Sequence, residues 1–348
     1  MKGKATSFDI AYRAGVSQST VSRALRGSPL VSLDTRKKIQ AIAKELNYKV
    51  DKNASNLRRQ HSVTLALLLF EDPSPDDSLI NPFFLSMLGS LTRACARQGY
   101  DLLVSFQQLS EDWHAEYQDS HKADGLILLG YGDYVEAREK LQHLVEQGTH
   151  FVRWGAVVDG QPDISIGCDN IQGGRDMTRH LLGLGRRRIA FVGDISEHCP
   201  EFRDRYLGHS EALAEAGLGV DPALQSDAVE STEQAGELAV DALIQRGVPF
   251  DAVFAATDLM ALGAMRALAR HGIAVPAQVS VAGFDDIPIA RFGTPPLTTV
   301  QQDTRRAGEE LVDCVIRQIR GEPATSHMLP SRVIVRGSCG APSGRDGG

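Results

Sequence analysis

The stretch Asp9–Ser32, DIAYRAGVSQSTVSRALRGSPLVS, decides how the head of this chain is read. Ile10, Ala11 and Ala14 recur at helical spacing, and Thr6 with Asp9 three residues on forms a capping-box pattern, so a first helix is predicted here. Gly15 then supplies a residue able to take the left-handed conformation that ends a helix and turns the chain. Ser17 is a good N-cap for a second helix whose Val21 and Leu25 point inward. Ser32 caps a third, with Ile39, Ile42, Ala43 and Leu46 as its apolar stripe. Three short helices with a glycine turn between the first two make a helix-turn-helix. With Val21 and Leu25 inward, Gln18, Ser19, Ser22, Arg23 and Arg26 fall together on the opposite side of the second helix. Short polar groups and guanidinium forks are the residue types that read base edges and phosphates in a major groove, and this stripe carries no acid. The alternative is an ordinary solvated helix face.

Charge separates this head from the rest. Through Arg59 there are 13 Lys and Arg against 4 Asp and Glu, about +9, and 24 against 40 thereafter, giving the overall −7. A basic head on an acidic body suits a nucleic-acid-binding module joined to a part with another task. Hydrophobic residues at 42% and charged residues at 23% are ordinary for a soluble globular chain. No 18-residue apolar run is present, so no membrane span is expected. The start, MKGKATSFDIAYRAG, lacks the apolar core of a secretory signal. Cys95, Cys168, Cys199, Cys314 and Cys339 stand singly, which predicts neither a disulfide framework nor a zinc site and points to a cytoplasmic chain.

The head closely resembles the headpiece of LacI/GalR-type bacterial transcriptional repressors. AGVS-x-x-TVSR, VS-x-x-TR and ELNY stand in that order within FDIAYRAGVSQSTVSRALRGSPLVSLDTRKKIQAIAKELNYK. By that resemblance Gln18, Ser19 and Arg23 read base edges, Ser7, Ser22, Ser32 and Thr35 position phosphates, and Arg26 serves either role. The segment Val50–Gln60, VDKNASNLRRQ, is polar and too short to be helical alone in water. In the family the matching segment becomes a hinge helix on operator DNA, its leucine wedged into a minor-groove step. Here that leucine is Leu57, with Arg58 beside it and Ala54 and Ser55 a turn earlier. Val50-Asp51 stands where members often carry Pro-Asn.

From Val63 onward, apolar strand-length runs alternate with amphipathic helices: VTLALLLF, DLLVSF, DGLILLG and HFVRWG in one series, RIAFVGD, AVFAAT and VSVAGFDD in a second. Such runs predict parallel sheets covered on both faces, hence two doubly wound α/β lobes. Ligands of these folds sit beyond the carboxyl ends of the strands, which singles out Asn81, Arg153, Asp194, Asp258 and Asp285. No GxSxG, Walker loop or HExxH is present, so no catalytic site, cofactor or metal is expected.

NPFF, HLLGLGRRRIAFVGD, ATDLMALGAMRAL, VSVAGFDDIPIA and PPLTTVQQD extend the same resemblance through the body, which implies a periplasmic-binding-protein-like domain with an effector between its lobes and three chain crossings. The resemblance places Phe83 and Phe84 on the cleft wall, Arg205 and Asp285 on the effector, and Trp154 as a wall residue. Thr257 stands where a sugar-binding relative can carry Asn, and Arg153 where some carry an acid. An added cleft arginine would favour an anionic or N-acetylated ligand, or would pair with a nearby acid.

The expected organisation is an all-α helix-turn-helix headpiece at 1–49, a hinge helix at 50–61 and the two-lobed α/β domain at 62–339. Its N-lobe takes about 62–162 and 292–323, its C-lobe about 163–291 and 324–339, and a disordered tail follows at 340–348. The expected partners are pseudo-palindromic double-stranded operator DNA, a small-molecule effector of sugar type, and a second copy of the chain, with no membrane. Release from DNA by a sugar and a purine-type co-repressor arrangement both fit. A plain sugar carrier fits the body but not the basic head, and an α/β enzyme would need a catalytic constellation.

Overall fold

The first helix starts at Thr6 because two backbone donors are satisfied there reciprocally: Thr6 Oγ1 accepts from Asp9 N–H and Asp9 Oδ2 accepts from Thr6 N–H at 2.7 Å. This α1, Ser7–Ala14, ends at Gly15 with φ +71°. Ser17 Oγ accepts from Thr20 N–H at 3.2 Å to open α2, Gln18–Leu25, and Ser32 Oγ accepts from Thr35 N–H at 3.3 Å to open α3, Leu33–Glu45. Ile10, Ala14, Val21, Ala24, Val31, Ile39 and Ala43 form the small core between them, with Leu25, Ile42 and Leu46 packed part-buried on its edge.

This computed structural model describes residues 5–25, 27–48, 61–69, 80–106, 112–130, 133–158 and 160–341. The chain divides into two units, Met1–Ser62 and Val63–Gly348. Arg26 and the hinge residues Val50, Ala54, Leu57 and Arg58 lie outside the described residues.

The second unit holds two six-stranded sheets. The first is built from β1 (Thr64–Leu69), β2 (Asp101–Phe106), β3 (Gly125–Leu129), β4 (Phe151–Trp154), β5 (Ser165–Cys168) and β11 (His327–Leu329), in the order β11-β5-β4-β3-β1-β2 and parallel throughout. The second contains β6 (Ile189–Val192), β7 (Gln225–Ser226), β8 (Ala252–Ala255), β9 (Ser280–Asp285), β10 (Thr298–Gln302) and β12 (Ser331–Ile334), ordered β12-β10-β9-β8-β6-β7, with only the β10–β12 pair antiparallel. The central strands β3, β6 and β8 are buried at every residue, the signature of sheets covered on both faces. Helices α4 (Pro82–Gln98) and α5 (Tyr134–Glu146) belong to the first lobe; α6 (Asn170–Gly183), α7 (Pro200–Glu215), α8 (Glu233–Gln245) and α9 (Asp258–Arg270) belong to the second. The last helix, α10 (Thr304–Ile319), returns to lie on α4, β3 and β4 of the first lobe.

The chain therefore crosses between lobes after β5, after β10 and between β11 and β12. This moves each lobe limit expected near 162, 291 and 323 further along the chain. Strands β5 and β11 join the first sheet, and β10 the second. SIGC, TTVQQ and HML are short and only partly apolar, so they lack the continuous run by which the other strands are recognised. The tail limit moves too. Gly340 turns with φ +80° and Ala341 packs on the body, while 342–348 lie outside the described residues.

Between α6 and α7, the wholly buried His209 shares a hydrogen bond of 2.9 Å with Thr178 Oγ1, among Phe191, Tyr206 and Phe254. Burial depresses its pKa to about 4. The unfolded chain takes that proton near pH 6.5 and the folded one only near 4, so stability is full above about 6.5 and falls as pH drops through that window, by up to about 3 kcal/mol. Urea unfolding at pH 7 and pH 4.5 is expected to show a smaller loss on acidification in H209F than in the wild type. An unchanged pH slope would remove His209 from the account.

Candidate DNA-binding face and effector cleft

On α2 the inward side is Val21 and Ala24, fully buried, which turns Gln18, Ser19, Ser22 and Arg23 outward. Ser19 and Arg23 are exposed, Gln18 and Ser22 half-buried. Gln18 Nε2 donates to Ser7 Oγ at 3.0 Å, so one proposed base reader is oriented by one proposed phosphate contact. Ser32 Oγ donates to Thr35 Oγ1 at 2.8 Å at the start of α3, tying another expected pair together. Arg23 has no side-chain partner among the described residues, leaving all its donors for a ligand. The helix presents no acid anywhere along its length.

In the second unit, Arg205 on α7 is 1% exposed. Its Nε donates to Asn170 Oδ1 at 2.9 Å, its Nη1 to the Ala256 carbonyl at 2.5 Å, and Nη1 stands 3.7 Å from Asp285 Oδ1. The guanidinium lies 3.8 Å from the centre of the Phe284 ring. Asp285 in turn accepts from Gln302 Nε2 at 2.7 Å. Asp285 and Asp286 both have positive φ, +114° and +53°, a costly conformation for residues other than glycine and one concentrated at functional sites. The expected pair Arg205 and Asp285 is thus brought together at the carboxyl ends of β8 and β9, with Asn170 and Gln302, which sequence reading passed over.

Across from it, Asn81 caps α4 by accepting from Phe83 N–H at 3.0 Å and reaches Ser231 Oγ of the second lobe at 3.3 Å. Phe83, Phe84 and Trp154 are buried together, Phe83 standing 5.2 Å from Phe84 and 6.4 Å from Trp154 between ring centres. Asp194 accepts from Ser196 N–H and Oγ.

Three expected contacts are placed otherwise. Arg153 is 2% exposed and committed to Asp163 Oδ2 at 3.0 Å, Gln161 Oε1 at 2.9 Å and Ser165 Oγ at 2.8 Å. It pairs with an acid and is not an added cation on the wall. Asp258 is fully buried behind β9, accepting from Thr299 Oγ1 and Ile287 N–H, and burial beside Asp285 pushes its pKa up. Thr257, also fully buried, caps α9 and accepts from Ser231 Oγ at 3.1 Å. Tyr134 and Glu201, neither anticipated, meet across the cleft; their only signal in sequence is that each lies in the first turn of the helix that follows a strand.

Residues 8–51 match the profile of bacterial regulatory proteins of the lacI family, and residues 178–339 that of a periplasmic binding protein-like domain. The HTH-type transcriptional regulator CelR of Thermobifida fusca is 32% identical over 337 residues, covering 94% of this chain and 96% of that protein. The chain belongs to the LacI family. Its fold follows that of solved relatives: a CelR–cellobiose complex (31% identity, 96% and 99% of the two chains covered, TM-score 0.70) and a lac repressor dimer bound to operator and the anti-inducer ONPF (25%, 97% and 99%, TM-score 0.82). This LacI-family protein is a DNA-binding transcriptional regulator. Among its described residues no helix is long and apolar enough to cross a membrane.

With Arg23 unpaired on an acid-free face, Arg23→Ala is expected to cost about 1–3 kcal/mol of operator affinity and to relax selection at one base position. Competition against single-base operator variants measures it. Equal loss on random DNA would show Arg23 to be a phosphate contact instead.

Proposed function

We propose that this chain is a homodimeric, cytoplasmic repressor whose α2 faces read a pseudo-palindromic operator and whose cleft takes a neutral sugar that releases the DNA. The observation that carries the ligand half is the buried Arg205–Asp285 pair: a guanidinium fork and a carboxylate side by side offer the donors and acceptors that vicinal hydroxyls require. Phe83 and Trp154 add an apolar wall of the kind that covers a sugar ring. Both buried arginines already face acids, Arg153 with Asp163 and Arg205 with Asp285, which favours a neutral polyhydroxyl ligand over an anionic one. The cellobiose complex of the similar CelR supports that class.

A second copy fits the exposed apolar residues. Edge strand β2 leaves Leu103, Val104 and Phe106 between 38% and 43% exposed, and the second lobe exposes Phe292 at 82% and Leu238 at 60%. Left uncovered, exposed apolar side chains on an edge strand invite association. The lac repressor dimer on its operator supports the same arrangement, and two headpieces on two half-sites multiply affinity. A coupling of about 1–3 kcal/mol between cleft and headpiece would change operator affinity roughly 5- to 150-fold. The role is regulation and not catalysis.

Fluorescence anisotropy of the full chain on a palindromic duplex from its own upstream region, at two salt concentrations, tests this reading. Cellobiose, other mono- and disaccharides, sugar phosphates and purines form the ligand panel. Tight, salt-sensitive binding weakened by a neutral sugar is expected; binding strengthened by a purine would replace release with co-repression. Arg205→Ala is expected to bind operator as the wild type does and to lose the ligand response. A retained response would place the ligand elsewhere.

A further inference from the structure

The two lobes are joined across the cleft mouth by side chains that the ligand reading does not use. Glu201, in the first turn of α7, belongs to the second lobe, yet the residue is 5% exposed and its carboxylate is held by the first. Its Oε1 accepts the hydroxyl proton of Tyr134 and, at 3.1 Å, the Ala156 N–H. The same N–H lies 3.0 Å from the Tyr134 oxygen, closing a three-membered set of donors and acceptor. Burial and the adjacent Glu201 carboxylate keep the Tyr134 hydroxyl protonated, far above the usual tyrosine range, so it acts as a donor here.

The tyrosine is in turn held from below. Its ring centre lies 4.4 Å from the Arg153 guanidinium, which is fixed by Asp163, Gln161 and Ser165 of the same lobe. Space for the hydroxyl depends on residue 155: a methyl on Gly155 would stand 1.9 Å from the Tyr134 oxygen and 3.0 Å from Glu201 Oε1. Real Cβ atoms do not approach so closely, and Gly155 has no positive φ that would itself demand glycine. Its lack of a side chain is therefore spent on this contact. Two further links flank it, Tyr134 N–H to the His198 carbonyl at 3.2 Å and His198 Nδ1 to Asp133 Oδ2 at 2.6 Å. The latter pair is partly exposed and contributes little by itself.

We propose that Arg153, Tyr134 and Glu201 form an interlobe latch that closes the cleft through the protein's own side chains, with Glu201 filling donors of the first lobe that an effector oxygen would otherwise take. Arg153 is a positioning residue in this arrangement, acting through the tyrosine ring. A body latched in this way has a closed state that needs no ligand, and an effector shifts the lobes only by the difference in its affinity for latched and unlatched forms. The closure stands on the contacts alone; its consequence for DNA release rests on the cleft reading given above.

The test is the distance between lobes in the full chain with no ligand added. Spin labels attached through clickable amino acids at Gln142 on α5 and Ala214 on α7, both exposed, leave the five cysteines in place. Double electron–electron resonance is expected to give one short-distance population in the wild type. E201A and G155A are expected to shift it to longer, broader distances, Y134F to shift it the same way by less, and E201Q, whose amide oxygen still accepts, to stay near the wild type. Y134F removes one oxygen and keeps the ring, so it decides the matter should E201A fold poorly. Distributions for Y134F, E201A and G155A that superimpose on the wild type would overturn the latch. Operator binding is scored separately on the same proteins: its absence in the wild type would sink the regulator reading and leave the distance result standing.

Discussion

A guanidinium taken out of water must find its partners inside the protein, and much of the second unit is arranged around that demand. Breaking a buried pair of this kind costs several kcal/mol, because one charge is left uncompensated. Arg205 draws its partners from Asn170, directly after the first crossing between lobes, from the carbonyl beyond β8, and from Asp285 at the end of β9. Asp285 is steadied by Gln302, the last residue before the second crossing. The charge network thus lies where the chain passes from lobe to lobe, and a ligand that alters its partners acts directly on the segments about which the lobes move.

The headpiece was legible almost residue by residue because its determinants are local. Caps at Thr6, Ser17 and Ser32, a left-handed turn at Gly15 and the 3.6-residue period of apolar positions act within a few residues of one another. The face of α2 follows from Val21 alone. Leu25 was expected inside, yet Ala24 takes the buried place and Leu25 rests on the edge, a shift well within what a short helix permits.

The body was legible as a class and less so in detail. Buried strands such as GLILL and AVFA announce themselves, whereas the strands that set the crossings are polar or very short and depend on neighbours far along the chain. Asp285 could be placed because it ends a strand and matches a known pattern, and Arg205, inside a helix, by the family resemblance alone. Arg153 could not: its fate is decided by Asp163, ten residues on in a stretch without periodicity, and no local rule foretells that a strand arginine will be paired. Asp258 misleads for the opposite reason. It follows a strand end, but its side chain turns behind the sheet, where Thr299 from another strand meets it.

The three crossings also bear on how the chain comes into being. The sheet of the first lobe is made early except for β11, whose three residues, His327, Met328 and Leu329, pair with Ile166, Gly167 and Cys168 of β5. During synthesis β5 must wait with an open edge until nearly the whole protein has emerged, and an open edge is a template for pairing with other chains. The helix that covers the first lobe, α10, arrives almost as late. Neither lobe is therefore a domain in the order of its making. Each is completed by the other's connections, and a chain cut short before His327 would lose the closing strand of the lobe it began with.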